Sequence, residues 1–181
     1  MNASSMGYPG QRGLYSPAFE HDACGIGMLV NIHGQRSHGI VTQALNVLTN
    51  LAHRGGAGAE PDTGDGAGIL TQLPHTFFEK ECRLNGIVLP APGCYGVGML
   101  FVSQDDTRRA GVEAAFEQIV REAGQQFLGW RDVPVNVETL GKTSRACMPR
   151  IRQAFIQKSA ALADEDAFER RLYLIRKTAE K

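Results

Sequence analysis

The sequence predicts a mixed α/β domain in which helices cover the faces of a β-sheet. Three observations carry this. Segments with an apolar stripe at helical spacing alternate with short strands. The strands at 24–31 and 95–102 are apolar or small on both faces, the pattern of strands covered from two sides. The 181 residues are 43% hydrophobic and 21% charged, enough for one domain with a real core. Neither a repeat nor a linker divides the chain. The order of elements alone leaves parallel and antiparallel pairing open.

Residues 1–16 form a polar leader without periodicity, and Pro17–Ala23 leads into the first strand. In Cys24–Asn31, Ile26, Met28 and Val30 share one face, with Gly25, Gly27 and Leu29 on the other. Ser37 is placed to cap a helix whose stripe is Ile40, Val41, Ala44, Leu45, Leu48, Leu51 and Ala52. That helix ends at His53-Arg54-Gly55. The loop 55–68 holds glycines 55, 56, 58, 64, 66 and 68 and runs into a second strand, Ile69–Leu73.

Pro74 suits the first turn of a short helix, Pro74–Cys82, with Phe77 and Phe78 inward. Pro90, Pro92 and Gly93 mark a turn before a third strand, Tyr95–Val102. Asp106 or Thr107 is placed to cap a helix over Arg108–Ala123, with Val112, Phe116, Ile119 and Ala123 in register. A fourth strand, Phe127–Asp132, surrounds the single Trp130 and stops at Pro134. Residues 135–149 have no clear period. A fifth strand follows at Ile151–Gln157. Asp164 caps a last helix, Glu165–Thr178, with Phe168, Leu172 and Ile175 on one face.

Lys plus Arg and Asp plus Glu number 19 each, so the net charge is zero. That gives no electrostatic footprint for nucleic acid or an anionic membrane as partner. The cysteines 24, 82, 94 and 147 form no CxxC pair and no zinc spacing, so no metal site is expected. Reduced thiols and the absence of a secretory signal or a transmembrane-length apolar run point to the cytoplasm.

Three clusters carry candidate chemistry: Cys24-Gly25, His53-Arg54-Gly55 and Thr63-Gly64-Asp65-Gly66-Ala67-Gly68. The GDGAG loop is not a nucleotide fingerprint. It follows a helix and precedes a strand, and it lacks the lysine of a phosphate-binding loop. Arg54, near a helix C-terminus, either complements the helix dipole or holds a carboxylate in its planar fork. His53 reads as a helix-ending residue, and Asp65 between glycines as a turn residue. Cys24 is either a small buried hydrophobe or a nucleophile. No histidine is placed as its base. A terminal cysteine solves that problem, because its own α-amine has a pKa near 8 and can take the thiol proton. Removal of residues 1–23 would be required.

The runs GLYSPAFEHDACGIGMLV, SHGIVTQALNVLTNLAHRGGAGAEPDTGDGAGILTQLPHTFF, FLGWRDVPVN and FERRLYLIRK resemble the large subunit of glutamate synthase, from about Leu14 onward. HRG followed by TGDGAGIL separates that family from other class II glutamine amidotransferases, whose loop after HRG is shorter. The resemblance implies an α+β fold, a four-layer αββα sandwich of the N-terminal-nucleophile hydrolase type, incomplete here at its C-terminal side. It implies a propeptide at 1–23 and the front of the amidotransferase domain at 24–181. Cys24 takes the position of the nucleophile that attacks the side-chain amide of L-glutamine. Arg54 takes that of the arginine holding the glutamine α-carboxylate, and Asp65-Gly66 that of pocket lining.

The family's oxyanion hole, an Asn-Gly pair well downstream, and an acidic residue for the α-amine match nothing here. Asn85-Gly86 sits in a different context. The resemblance implies no cofactor in this chain. The parent enzyme is expected to use FMN, an iron–sulfur cluster and NADPH or ferredoxin. Expected partners are L-glutamine and the synthase half of the parent or a complementary chain. The function implied is glutamine hydrolysis through a Cys24 thioester, feeding ammonia to 2-oxoglutarate amination. The alternative is an inactive fragment that needs a complementary chain.

Overall fold

The computed structural model describes residues 25–56, 60, 63, 64 and 66–181, with Arg54 described by its backbone alone. The leader expected at 1–23 lies outside the described residues. The chain divides into two compact units, one ending at Ile69 and one spanning Leu70–Lys181.

In the first unit, helix α1 (His38–Asn50) begins after Ser37, which has extended backbone but makes no side-chain capping bond. The half-buried residues of α1 and its cap are Ile40, Val41, Ala44, Val47, Leu48 and Leu51. They recur at the spacing of one helix face. Val47 belongs to this face, while Leu45 and Ala52, expected on it, are exposed. A 3₁₀ turn, Ala52–Arg54, follows, closed by Gly55 N donating to Ala52 O at 3.2 Å.

The strands expected at 24–31 and 69–73 are not seen in the described residues of either stretch. Alternating apolar residues express a need for burial, but a strand also needs a neighbour's backbone to pair with. Among the described residues neither stretch has one. Ile26, Met28, Val30 and Leu70 are accordingly exposed.

The second unit opens with α2 (His75–Leu84), two residues longer at its end than expected. Phe78 and Cys82, four apart on one face, are buried. Phe77, expected inward, is half exposed, and the Arg131 guanidinium lies 5.5 Å from its ring centre. The remaining elements are β1 (Tyr95–Val102), α3 (Asp106–Glu122), β2 (Gln126–Asp132), α4 (Lys142–Cys147), β3 (Arg150–Gln157) and α5 (Glu165–Ala179). Short α4 occupies the stretch without a clear period.

The cap of α3 is Asp105, not Asp106 or Thr107: its Oδ1 accepts from Arg108 N at 2.8 Å. The C-terminus of α3 closes on Gly124, whose φ of +71° suits a residue without a side chain. Gly124 N donates to Arg121 O and Gln125 N to Val120 O, which satisfies two terminal carbonyls. Asp164 caps α5 through Ala167 N at 2.7 Å, as its position predicts.

The three strands form one antiparallel sheet in the order β1-β3-β2. Of the five strands expected, these three stand among the described residues, and the pairing left open by the element order is antiparallel. Central β3 is buried from both sides. Ala154 and Ile156 face Phe116 and Val120 of α3 and Phe168 and Ile175 of α5. Phe155 faces Phe78 and Cys82 of α2, with Ile87 and Tyr95. The ladder of β2 is bulged between Phe127 and Gly129. A Cβ on Gly129 would stand 2.7 Å from Ile87, so glycine permits that close approach.

Charge at the sheet margin is paired. Arg150 grips Asp132 with Nε at 3.0 Å and Nη2 at 2.9 Å, and Arg152 Nη1 reaches the same carboxylate at 2.9 Å. Hydrogen bonds from Arg150, then from Arg152, hold the Asp132 carboxyl at a pKa of about 2, against the opposing effect of its partial burial. Buried Arg131 donates to Gln153 Oε1 and Glu81 Oε2, both at 2.9 Å.

Phe155→Ala removes a ring that is 0% exposed. A loss of about 3–5 kcal/mol is expected, measured by denaturant unfolding. Asp132 has a folded pKa below its ordinary 3.8, so its stabilisation is complete above that value and is lost as pH falls towards 2. Thermal midpoints taken between pH 5 and pH 2 should therefore fall less steeply in Asp132→Asn than in the parent chain.

Candidate active site

Cys24 and Asp65 lie outside the described residues, as does the side chain of Arg54. What the structure describes is the frame around them. Gly25, directly after Cys24, packs its backbone against the Leu51 side chain, and Gly27 packs against Val47. Both partners sit on the half-buried face of α1 and its cap. The Arg54 backbone closes the 3₁₀ turn three residues beyond Leu51. Gly66 is exposed, with open space where a Cβ would stand. Before it, Thr63 N donates to Glu60 O at 3.0 Å and Thr63 Oγ1 to Glu60 Oε2 at 3.1 Å. Gly25, Arg54 and Gly66 all belong to the first compact unit.

His53 and His75 are each engaged within their own unit. His53 Nδ1 lies 2.9 Å from Asn50 O, the contact of a helix-ending residue. His75 begins α2, and its Nδ1 is 3.1 Å from the Tyr95 hydroxyl.

The three described thiols make poor nucleophiles or have other engagements. Cys82 is fully buried, and burial pushes its pKa up, with Arg131 opposing the rise. A thiol held in its neutral form is inert. Cys147 is exposed at the end of α4, where its Sγ donates to Thr143 O at 3.2 Å. Cys94 is partly buried in the turn before β1. Among the described residues no three His, Cys, Asp or Glu side chains converge on a metal position. No described helix is long and apolar enough to cross a membrane.

The described frame is thus α1 against Gly25 and Gly27, with the Arg54 backbone in the turn beyond it. Residues 24–181 match the family Glutamine amidotransferases class-II, and the chain belongs to that family. Among curated relatives it is 50% identical over 172 residues to the glutamate synthase [NADPH] large chain of Bacillus subtilis, covering 95% of this chain and 11% of that one. It is 40% identical over 174 residues to the glutamate synthase [NADH] of Schizosaccharomyces pombe, covering 93% and 8%. It is 41% identical over 162 residues to the ferredoxin-dependent glutamate synthase 1, chloroplastic/mitochondrial, of Arabidopsis thaliana, covering 90% and 10%. The chain thus spans about a tenth of the length of these relatives.

The environments of the thiols order their reactivity. In native protein treated with an aromatic disulfide, of the three described thiols Cys147 should be labelled before Cys82, whose peptide should be labelled only on unfolding, as read by mass spectrometry.

Proposed function

We propose that this chain supplies the glutaminase machinery of a glutamate synthase, with Cys24 as nucleophile. The observation that carries the proposal is the family match. It opens at Cys24 and includes the Arg54 turn and the glycine loop with Asp65 and Gly66. The glycine-lined backbone on α1 supports it, because a nucleophile needs a firm base.

Removal of residues 1–23 makes the Cys24 nitrogen a primary amine. That amine accepts the thiol proton, directly or through a water. The thiolate attacks Cδ of L-glutamine, a C–S bond forms, and the C–N bond of the amide breaks. The proton passes to the departing nitrogen, which leaves as ammonia. Water then cleaves the thioester, giving glutamate and returning the thiol. Arg54 holds the α-carboxylate of glutamine with a charge-assisted pair of hydrogen bonds, and Asp65 and Gly66 line the glutamine pocket. The ammonia serves 2-oxoglutarate amination elsewhere in the enzyme, in the synthase half or a complementary chain.

The finer architecture proposed is the four-layer αββα sandwich, to which the three-stranded sheet and its helices contribute part. The names of the relatives carry NADPH, NADH or ferredoxin. Electron transfer through FMN and an iron–sulfur cluster is assigned to the synthase half. The cysteine spacing supports a cytoplasmic location, and the balanced charge supports partners other than nucleic acid or membrane.

Intact-mass measurement of the natural full-length polypeptide should show loss of residues 1–23. Cys24→Ser should lower glutamine hydrolysis by roughly 10⁴-fold or more. A variant that keeps the parental rate overturns the assignment. Arg54→Lys keeps the charge but loses the fork. It should raise KM for glutamine roughly 10- to 100-fold, the equivalent of one charged hydrogen bond, with a smaller change in kcat.

A further inference from the structure

The geometry points to Val47 and Gly27 as positioning residues for Cys24: α1 holds the segment after the nucleophile by a tight contact that only glycine permits. This rests on the proposed role of Cys24.

Gly25 meets Leu51, and Gly27 meets Val47. Rising residue numbers on the segment meet falling numbers on α1, so the two run antiparallel. Two residues of chain span at most about 7 Å. The four-residue step from Val47 to Leu51 is roughly 6 Å along a helix. The two contacts fall on alternate residues of the segment and on residues four apart at the end of α1. Residues 25–30 are all exposed, Ile26 at 94% and Met28 at 84%, so the contacts with Leu51 and Val47 are what the described structure places against this segment. A glycine at both contact positions brings the backbone onto the helix side chains with no Cβ between.

The two contacts are unequal. A Cβ on Gly25 would stand 2.9 Å from Leu51 Cδ2, at the far end of a side chain that can turn about χ2. A Cβ on Gly27 would overlap Val47 Cγ1. Valine in a helix is confined largely to one χ1 rotamer, so Val47 cannot swing aside. The backbone of residue 27 must lift instead. That displacement acts on the segment that directly follows Cys24 in the chain. Displacing a reacting group by about 1 Å costs up to 10²-fold in rate. Binding of glutamine through Arg54 does not depend on that step.

The test is glutamine hydrolysis by the natural full-length polypeptide carrying Gly25→Ala, Gly27→Ala, Val47→Ala and Gly27→Ala with Val47→Ala. Gly27→Ala should lower kcat roughly 10- to 100-fold with KM within about twofold. Gly25→Ala should stay within about threefold of the parent, and Val47→Ala, which loosens the contact, should lower kcat roughly 3- to 10-fold. The double variant should recover to the level of Val47→Ala alone, because that change removes the methyl that the new Cβ meets. If Gly27→Ala does not fold, Val47→Ala should restore both fold and rate. Parental kcat in Gly27→Ala, or a double variant no better than Gly27→Ala, overturns the inference. Cys24→Ser run alongside separates the failures. If that variant is active, the nucleophile assignment falls; if it is inactive and the double variant shows no rescue, only the role of Gly27 and Val47 falls.

Discussion

The second compact unit depends on β3 being buried on both faces at once. Ala154 and Ile156 point to α3 and α5, and Phe155 between them points to α2. A central strand with two apolar faces cannot be satisfied by one layer of helices. It requires α2 on one side and the α3 and α5 pair on the other. The size of each side chain is matched to its face. Small Ala154 lets the Phe116 and Trp130 rings close at 5.6 Å between centroids. Phe155 meets Phe78 edge-on at 5.4 Å. The bulge at Gly129 follows from the same demand, because it lets Ile87 press onto the β2 backbone and complete the cover over Phe155.

Where the apolar faces end, charge takes over in a graded way. Arg131 is buried and is compensated on three sides, by Gln153, Glu81 and the Phe77 ring. Removing one of its partners would strand a buried cation, so this group specifies the meeting of α2, β2 and β3. Asp132 lies one residue further along β2, half exposed. Its two arginines tie β2 to β3 with less consequence, since water also screens them.

Elements whose signals are local could be read from the sequence. Asp164 with the stripe Phe168, Leu172 and Ile175 gave the start of α5, and Tyr95–Val102 matched its strand at both ends. The cap of α3 fell one residue away from expectation because Gln104-Asp105-Asp106-Thr107 offers consecutive capping side chains. The end of β1 decides between them. Strand direction was not legible, since pairing of Val97 with Phe155 joins residues far apart in sequence. The same nonlocality explains residues 25–31 and 69–73, where the pattern named the demand for burial without naming a partner. In the site, Cys24, Arg54, Asp65 and Gly66 were legible as motif residues and not as geometry. Val47 was not singled out at all. Its signal was present in the glycines at 25 and 27, whose two-residue spacing matches a surface that approaches the backbone closely.

That surface gives α1 two tasks at its C-terminal end. Val47 and Leu51 back the chain that leads to the proposed nucleophile. The turn immediately beyond carries Arg54, the proposed holder of the glutamine carboxylate. A reacting thiol and a substrate anchor must keep a constant separation for attack to be productive. Two loops moving independently would let that separation vary. One helix with a β-branched contact on its face and a hydrogen-bonded turn at its end holds Gly27 and the Arg54 backbone to the same element. This is the reason for a valine at 47, where a longer and more flexible side chain would fill space equally well. Leu51 has that flexibility and lies against Gly25. The firm contact therefore falls on Gly27, where a shift would act on the segment directly following the proposed nucleophile.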